Sequence, residues 1–452
     1  MTNDLTQGKP LPLILNFTIP LALGALFQQC FSVVDTIIVG KCISVDALAA
    51  VGSTNSLNFL IIGLVTGSCC GMAIPISQRF GAKDWSNLRR YVFNAVYVCL
   101  FLTAVLTAVT AVYTRQMLQL MRTPENIMED AYRYIVTIFY GIGGIFLYQM
   151  CACVIRAMGD SRTPVFFLVL ACLINIVLDL LFILVFHMGV FGAALATVIS
   201  QTLSGLACLF YILHSLYMLK PEAGEAAFSP RHIRDLFVMG VPMGLQYTIT
   251  AIGSVVLQSA VNTLGSSIVA AVTAGSKVSI FFTCVLESLG TAMATYAGQN
   301  MGAHKFDRIR TGMLLAMLIG TVYSLLSFGI LKLTGGWLVQ MFVDAEEAAV
   351  IEHAATFLGW NSLFYVLLNP IFIYRFGLQG LGYSGFSMFA GVAEMFARSL
   401  VAFGLVPVWG FLGVCLANPA AWLAADLFLI PAFYAKLKRR ETLAAADGGQ
   451  TA

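Results

Sequence analysis

Gln78-Arg79-Phe80-Gly81-Ala82-Lys83 returns as Gln299-Asn300-Met301-Gly302-Ala303-His304, 221 residues later. The same offset carries Ala49-Ala50 onto Ala270-Ala271, and Gly189-Val190-Phe191-Gly192 onto Gly410-Phe411-Leu412-Gly413. Pro20 falls on Pro242 at a spacing of 222, and Met158-Gly159-Asp160-Ser161 falls on Leu381-Gly382-Tyr383-Ser384 at 223. A series of matches in chain order at nearly one spacing marks an internal duplication, and the fold follows from what one copy is.

Each copy is a set of long apolar segments. Of 452 residues, 59% are hydrophobic and only 10% charged, with a mean hydropathy of +0.87. That is too little charge to cover the surface of a water-soluble chain of this length. The apolar stretches run over 12–39, 47–79, 88–114, 127–156, 163–187, 189–219, 232–264, 267–299, 306–334, 346–380, 384–406 and 411–437. At about 1.5 Å per residue each can cross a hydrocarbon layer about 30 Å thick. The expected fold is therefore an all-α integral membrane protein, with twelve transmembrane helices in two six-helix bundles related by duplication. Residues 1–220 form the first lobe, 221–235 a cytoplasmic linker, 236–440 the second lobe and 441–452 a polar tail. Six spans per copy preserve orientation, so the copies are parallel repeats about an axis along the membrane normal. Two such bundles rocking about a central cleft are a transporter plan.

Orientation follows from basic residues. With the N-terminus inside, eighteen Lys and Arg, among them Arg79, Arg89, Arg156 and Arg375, lie on the inner side. Six lie outside: Lys41, Arg115, Arg122, Arg133, Lys277 and Lys332. This bias puts both termini in the cytoplasm of a cell-membrane protein. The opening Met1–Leu11 lacks a basic region leading to a cleavage site, so the first span is read as a retained helix.

Several functions are disfavoured. A net charge of +3 gives no footprint for nucleic acid. The eleven cysteines, including Cys69-Cys70 and Cys151-Ala152-Cys153, form no CxxC and read as small apolar packing residues. There is no GxxxxGK[ST], HExxH or GxSxG stretch, which argues against direct ATP drive and against an enzyme. No cofactor is implied.

Ionisable residues inside spans are costly and mark function. They are Asp35 in span 1, Asp179 in span 5, Glu287 in span 8, Glu394 and Arg398 in span 11, and Asp426 in span 12. Five acids against one guanidinium suit a cationic cargo or a coupling cation. Asn175 and Asp179, four apart, share a helix face. Counting from the span ends, Asp35, Asp179 and Thr197 lie roughly 7–12 Å below the outer surface. Two carboxyls, an amide and a hydroxyl at one depth can ligate a hard cation such as sodium, or exchange a proton. A structural hydrogen-bonding role is the alternative. Gln28, seven residues before Asp35, either lines a cavity or bridges helices. Glu394 and Arg398, four apart, read either as a neutralising structural pair along one helix or as part of the substrate pathway, and Asp426 as structural. Glu287 has no partner evident in sequence and is the second-half candidate for a cargo contact.

The chain resembles the multidrug and toxic compound extrusion (MATE) transporters over essentially its whole length. The resemblance is carried by Val33-Val-Asp35-Thr-Ile-Ile-Val-Gly40, Ala47-Leu-Ala-Ala-Val51, Gln78-Arg-Phe-Gly81-Ala, Arg156-Ala-Met-Gly159-Asp160-Ser-Arg-Thr-Pro164 and their second-half echoes. It implies two six-helix bundles in a V that exchange a drug for sodium ions or protons. The family's first-lobe cation site matches Asp35, Asn175, Asp179 and Thr197 here, and Tyr134 matches a tyrosine that joins this network in some members. Where one branch has an acid eight residues after the proline of span 7, this chain has Thr250, and Leu368 and Asn369 stand near the position of another acid in span 10. Coupling through the first lobe is favoured. The expected function is a monomeric secondary antiporter, surrounded by membrane lipid, that exports amphipathic, cationic small organic molecules against Na+ or H+. A lipid-linked oligosaccharide flippase of the same superfamily, which would need a basic cavity, and a non-transporting receptor or scaffold are the alternatives.

Overall fold

The computed structural model describes residues 3–121, 123–344 and 346–448; Arg122, one of the six outer-side cations, lies outside them. Among the described residues there is helix and no strand. The first copy holds α1 (Pro10–Cys42), α2 (Val45–Gly81), α3 (Trp85–Leu120), α4 (Glu125–Tyr140), α5 (Ile142–Ala157), α6 (Arg162–Leu180) and α7 (Gly189–Ser215). The second holds α8 (Pro230–Asn262), α9 (Ser266–Gly302), α10 (Phe306–Val339), α11 (Ala348–Leu363), α12 (Tyr365–Gly380), α13 (Ser384–Leu400), α14 (Val406–Trp409) and α15 (Phe411–Gly448). Ten described helical spans are long and apolar enough to cross a membrane, and two bent pairs bring the number to twelve.

Two of the expected spans, 127–156 and 346–380, are bent. α4 and α5 meet at 48°, and α11 and α12 at 51°. At the first bend, Gly141 and Gly144 let α7 approach closely: a Cβ on Gly141 would collide with Val198, and one on Gly144 with Thr202. At the second, Pro370 on α12 removes a backbone donor in the turn that follows the break.

The duplication is written into the backbone. Lys83 and His304, the last residues of the opening repeat, both take positive φ, at 57° and 54°. Gly159 and Gly382 (84° and 89°) and Gly189 and Gly410 (58° and 56°) do the same, and there glycine removes the Cβ penalty of the left-handed conformation. A five-residue π turn follows α6 at Leu181–Val185, and its counterpart follows α13 at Val401–Leu405, 220 residues on.

The chain divides into two compact units, Met1–Asp4 with Leu23–Gly244, and Leu5–Ala22 with Leu245–Ala452. The opening helices of the two copies, α1 and α8, each change unit just beyond Pro20 and Pro242. In the first unit, Gly67 and Gly71 of α2 face Gly240 and Gly244 of α8. A Cβ on Gly67 would lie 2.5 Å from the Met243 carbonyl oxygen, and one on Gly240 3.0 Å from that of Ser68. Paired small-xxx-small stripes of this kind bring membrane helices to backbone contact, where dispersion replaces the absent hydrophobic drive.

Repeat motifs and linker have structural work. Gln299 Oε1 accepts from Leu5 N at 2.9 Å, Asn300 Nδ2 donates to Leu5 O at 3.2 Å, and Lys305 Nζ donates to Thr6 O at 2.8 Å. Asp160 caps the start of α6, accepting from Arg162 N, Thr163 N and the Thr163 hydroxyl. The linker is anchored by Arg89, which pairs with Glu222 at 2.8 Å and with Glu225, and by Tyr91, which donates to Asp235 at 2.8 Å. The Arg89 guanidinium holds Glu225 far below the usual carboxylate range, at about 2.

Candidate functional site

Asp35 sits on α1, seven residues before its end. Asp179 is the penultimate residue of α6, directly before the π turn. Their carboxyls face each other at hydrogen-bonding range. Asp179 is fully buried, Asn175 3% exposed and Asp35 half-buried. Among the described residues no protein donor reaches Asp35 Oδ1 or either carboxyl oxygen of Asp179, and no protein acceptor meets Asn175 Nδ2. Two carboxylates are both acceptors, so a facing pair is held only by a proton or a cation between the oxygens. A π turn widens the helix by one residue and shifts the face presented beyond it; such turns gather at functional sites.

Tyr134, on α4, is buried within the electrostatic reach of both acids. Thr197, on α7, is turned to its own helix: its hydroxyl donates to Ala193 O at 3.1 Å. The fold thus brings Asp35, Asp179 and Tyr134 together, sets Asn175 one turn from Asp179, and leaves Thr197 with a local bond. Gln28 is exposed on α1.

The second unit holds another buried polar group. Glu394 accepts from Arg398 at 3.2 Å along α13 and from Arg375 on α12. Arg375, read in sequence as an inner-side cation, is 5% exposed near the end of α12 and pairs with Glu394. Its pairing with an acid nineteen residues on is not visible in sequence. Glu287, read as lacking a partner, accepts from the Tyr247 hydroxyl at 3.3 Å, α8 to α9. Asp426 is buried on α15, and its Oδ1 meets no donor among the described residues. Thr250 bonds to Gln246 O, and Asn369 donates to Met317 O.

The family model described as MatE matches residues 20–181 and again 242–403, once per copy. The chain belongs to the MATE family. This MATE chain is 30% identical to the Bacillus subtilis protein named "Probable multidrug resistance protein YoeA", over 95% of each chain. It is 23% identical to the Shewanella oneidensis "FAD transporter", over 79% of this chain and 77% of that one. A solved structure of an outward-facing multidrug resistance MATE transporter superposes with a TM-score of 0.91 at 21% identity, covering 97% of this chain and 98% of the other. The protein is a multi-pass membrane protein of a transporter family, and the match repeats across both halves of the MATE fold as the duplication requires.

What a MATE interior can do with these residues is limited by their chemistry. Unpartnered carboxyl oxygens are hard ligands that fit a small cation or a proton. Among the described residues no three His, Cys, Asp or Glu side chains group as a metal centre, so Asn175 and backbone or solvent oxygens would complete any sodium shell.

Proposed function

We propose that this MATE protein is a secondary antiporter that exports amphipathic organic cations across the cell membrane, in exchange for sodium ions or protons taken up at Asp35 and Asp179. The observation that carries this reading is the facing carboxyl pair contributed by α1 and α6. A coupling ion that enters the pair and later leaves it changes the charge that α1 and α6 must bury. Cargo is driven only if ion and cargo prefer different conformations. One charge moving through 100 mV supplies about 2.3 kcal/mol, enough for roughly a fifty-fold gradient of neutral cargo. Asn175 and Tyr134 orient the pair in this account, and Thr197, whose hydroxyl donates its proton to Ala193 O, offers its oxygen lone pairs to a sodium shell. Gln28 and Glu287 are proposed to meet cargo, whereas Glu394 with Arg398 holds α13 to α12 through Arg375. The lobes are proposed as 1–220 and 236–440, joined by 221–235, with both termini cytoplasmic, the protein acting as a monomer without a cofactor.

The relatives named for multidrug resistance support an organic small-molecule cargo, and the acid-rich interior supports cations over anions. The test is flux of a fluorescent organic cation and of an anionic flavin in proteoliposomes, with sodium and pH gradients imposed separately. Uphill movement of the cation under one gradient is expected; movement of the flavin alone would overturn the cargo assignment.

A further inference from the structure

The cysteines that read in sequence as packing residues do not all pack alike. Cys70 of α2 and Cys153 of α5 stand sulfur to sulfur at 3.7 Å. Arg156, one turn along α5, donates from its guanidinium to Cys153 Sγ at 2.9 Å, and no carboxylate partners it among the described residues. Cys70 is half-buried, and Cys153, like Cys69 and Cys151, is buried, so oxidant reaches the pair from the Cys70 side. Cys153 lies four residues from the end of α5. An arginine spent on a sulfur atom, with a second sulfur in van der Waals contact, is the arrangement of a reactive thiol beside its resolving partner.

We propose that Cys70 and Cys153 form a reversible, peroxide-responsive disulfide site that ties α2 to α5. The thiolate sulfur of Cys153 attacks one oxygen of hydrogen peroxide, the O–O bond breaks and hydroxide leaves, giving a sulfenic acid. The Cys70 sulfur attacks that sulfur, the S–O bond breaks, and the Cys70 proton departs with the hydroxyl as water. In all, two thiols and one peroxide give one disulfide and two waters. The sulfurs need to close by about 1.7 Å to reach bonding distance, a side-chain adjustment between helices already packed together. A dithiol reductant reverses the step and becomes the cyclic disulfide. Hydrogen peroxide is small and neutral and reaches a site near the end of a membrane helix.

The full chain in native membrane vesicles is exposed to hydrogen peroxide, blocked with N-ethylmaleimide, digested without reductant and mapped by mass spectrometry. A Cys70–Cys153 peptide pair short of two hydrogens is expected, lost on adding dithiothreitol and absent in Cys153→Ser. Arg156→Gln should slow its formation about tenfold, while Arg156→Lys retains most of the rate. Thermal melting of each variant reports folding, and the wild-type result stands without any variant. No linked pair in folded wild-type protein, linkage of Cys69 or Cys151 in place of Cys70, or an Arg156→Gln rate equal to wild type would overturn the proposal.

Discussion

The carboxyl of Asp35, on α1, faces the carboxyl of Asp179, on α6, and among the described residues no protein donor neutralises either oxygen of Asp179. Two like charges in an apolar interior repel strongly, so the relationship is stable only while something positive stands between them. That requirement fits the pair to the cation exchange proposed above better than to a static strut.

It follows that replacing either acid leaves the fold intact. Asp179→Asn retains a polar group at the site and removes the repulsion. We expect its melting midpoint in detergent to equal or exceed the wild type, while gradient-driven accumulation falls to the passive leak. A midpoint several degrees lower would assign Asp179 a structural role.

Glu394 behaves in the opposite way. It lies between Arg375 and Arg398, and Glu394→Gln leaves two buried guanidinia without their counter-charge. Breaking a buried pair by removing one partner costs about 3–5 kcal/mol. Thermal denaturation should show a clear loss of stability; unchanged stability with weakened cargo binding would instead make Glu394 a cargo contact.

The backbone contact at Gly67 sets a third expectation. A methyl there meets the Met243 carbonyl oxygen at 2.5 Å, and a backbone atom cannot move aside as a side chain does. Gly67→Ala should cost about 1–3 kcal/mol, read as a lowered melting midpoint, while Gly52→Ala, where nothing lies within 4 Å, should be neutral.

The linker has a pH signature. Glu225 is held at about 2 against an ordinary 4.5 by Arg89. Its folded value is depressed, so its contribution is complete above 4.5 and is lost as pH falls from there towards 2. Amide exchange of residues 221–229, divided by its intrinsic rate at each pH, should therefore be flat from neutral pH to about 5 and rise below 4.5. Arg89→Ala should raise it at neutral pH too.

Much of this was legible in the sequence because repeats and apolar length are one-dimensional signals. The pairs Gly159 with Gly382 and Gly189 with Gly410, found by spacing, sit at matching left-handed turns. Depth counted along helices set Asp35 and Asp179 at one level, but not which way Thr197 turns, since a hydroxyl can always satisfy itself on the preceding turn. The bends at Gly141 and Phe364 stayed hidden because a broken and a straight span have the same hydropathy; the Gly141-Ile142-Gly143-Gly144 cluster and Pro370 were the available hints. Arg375 and Tyr247 were missed because their partners come from other helices, and neither spacing nor composition encodes such pairing.

The most direct test separates downhill from uphill transport in proteoliposomes carrying the Asp35→Asn, Asp179→Asn double variant. The account predicts that the variant still binds a fluorescent organic cation but no longer accumulates it under either a sodium or a pH gradient. Accumulation by the double variant to the wild-type level, under the gradient that drives the wild type, would contradict it.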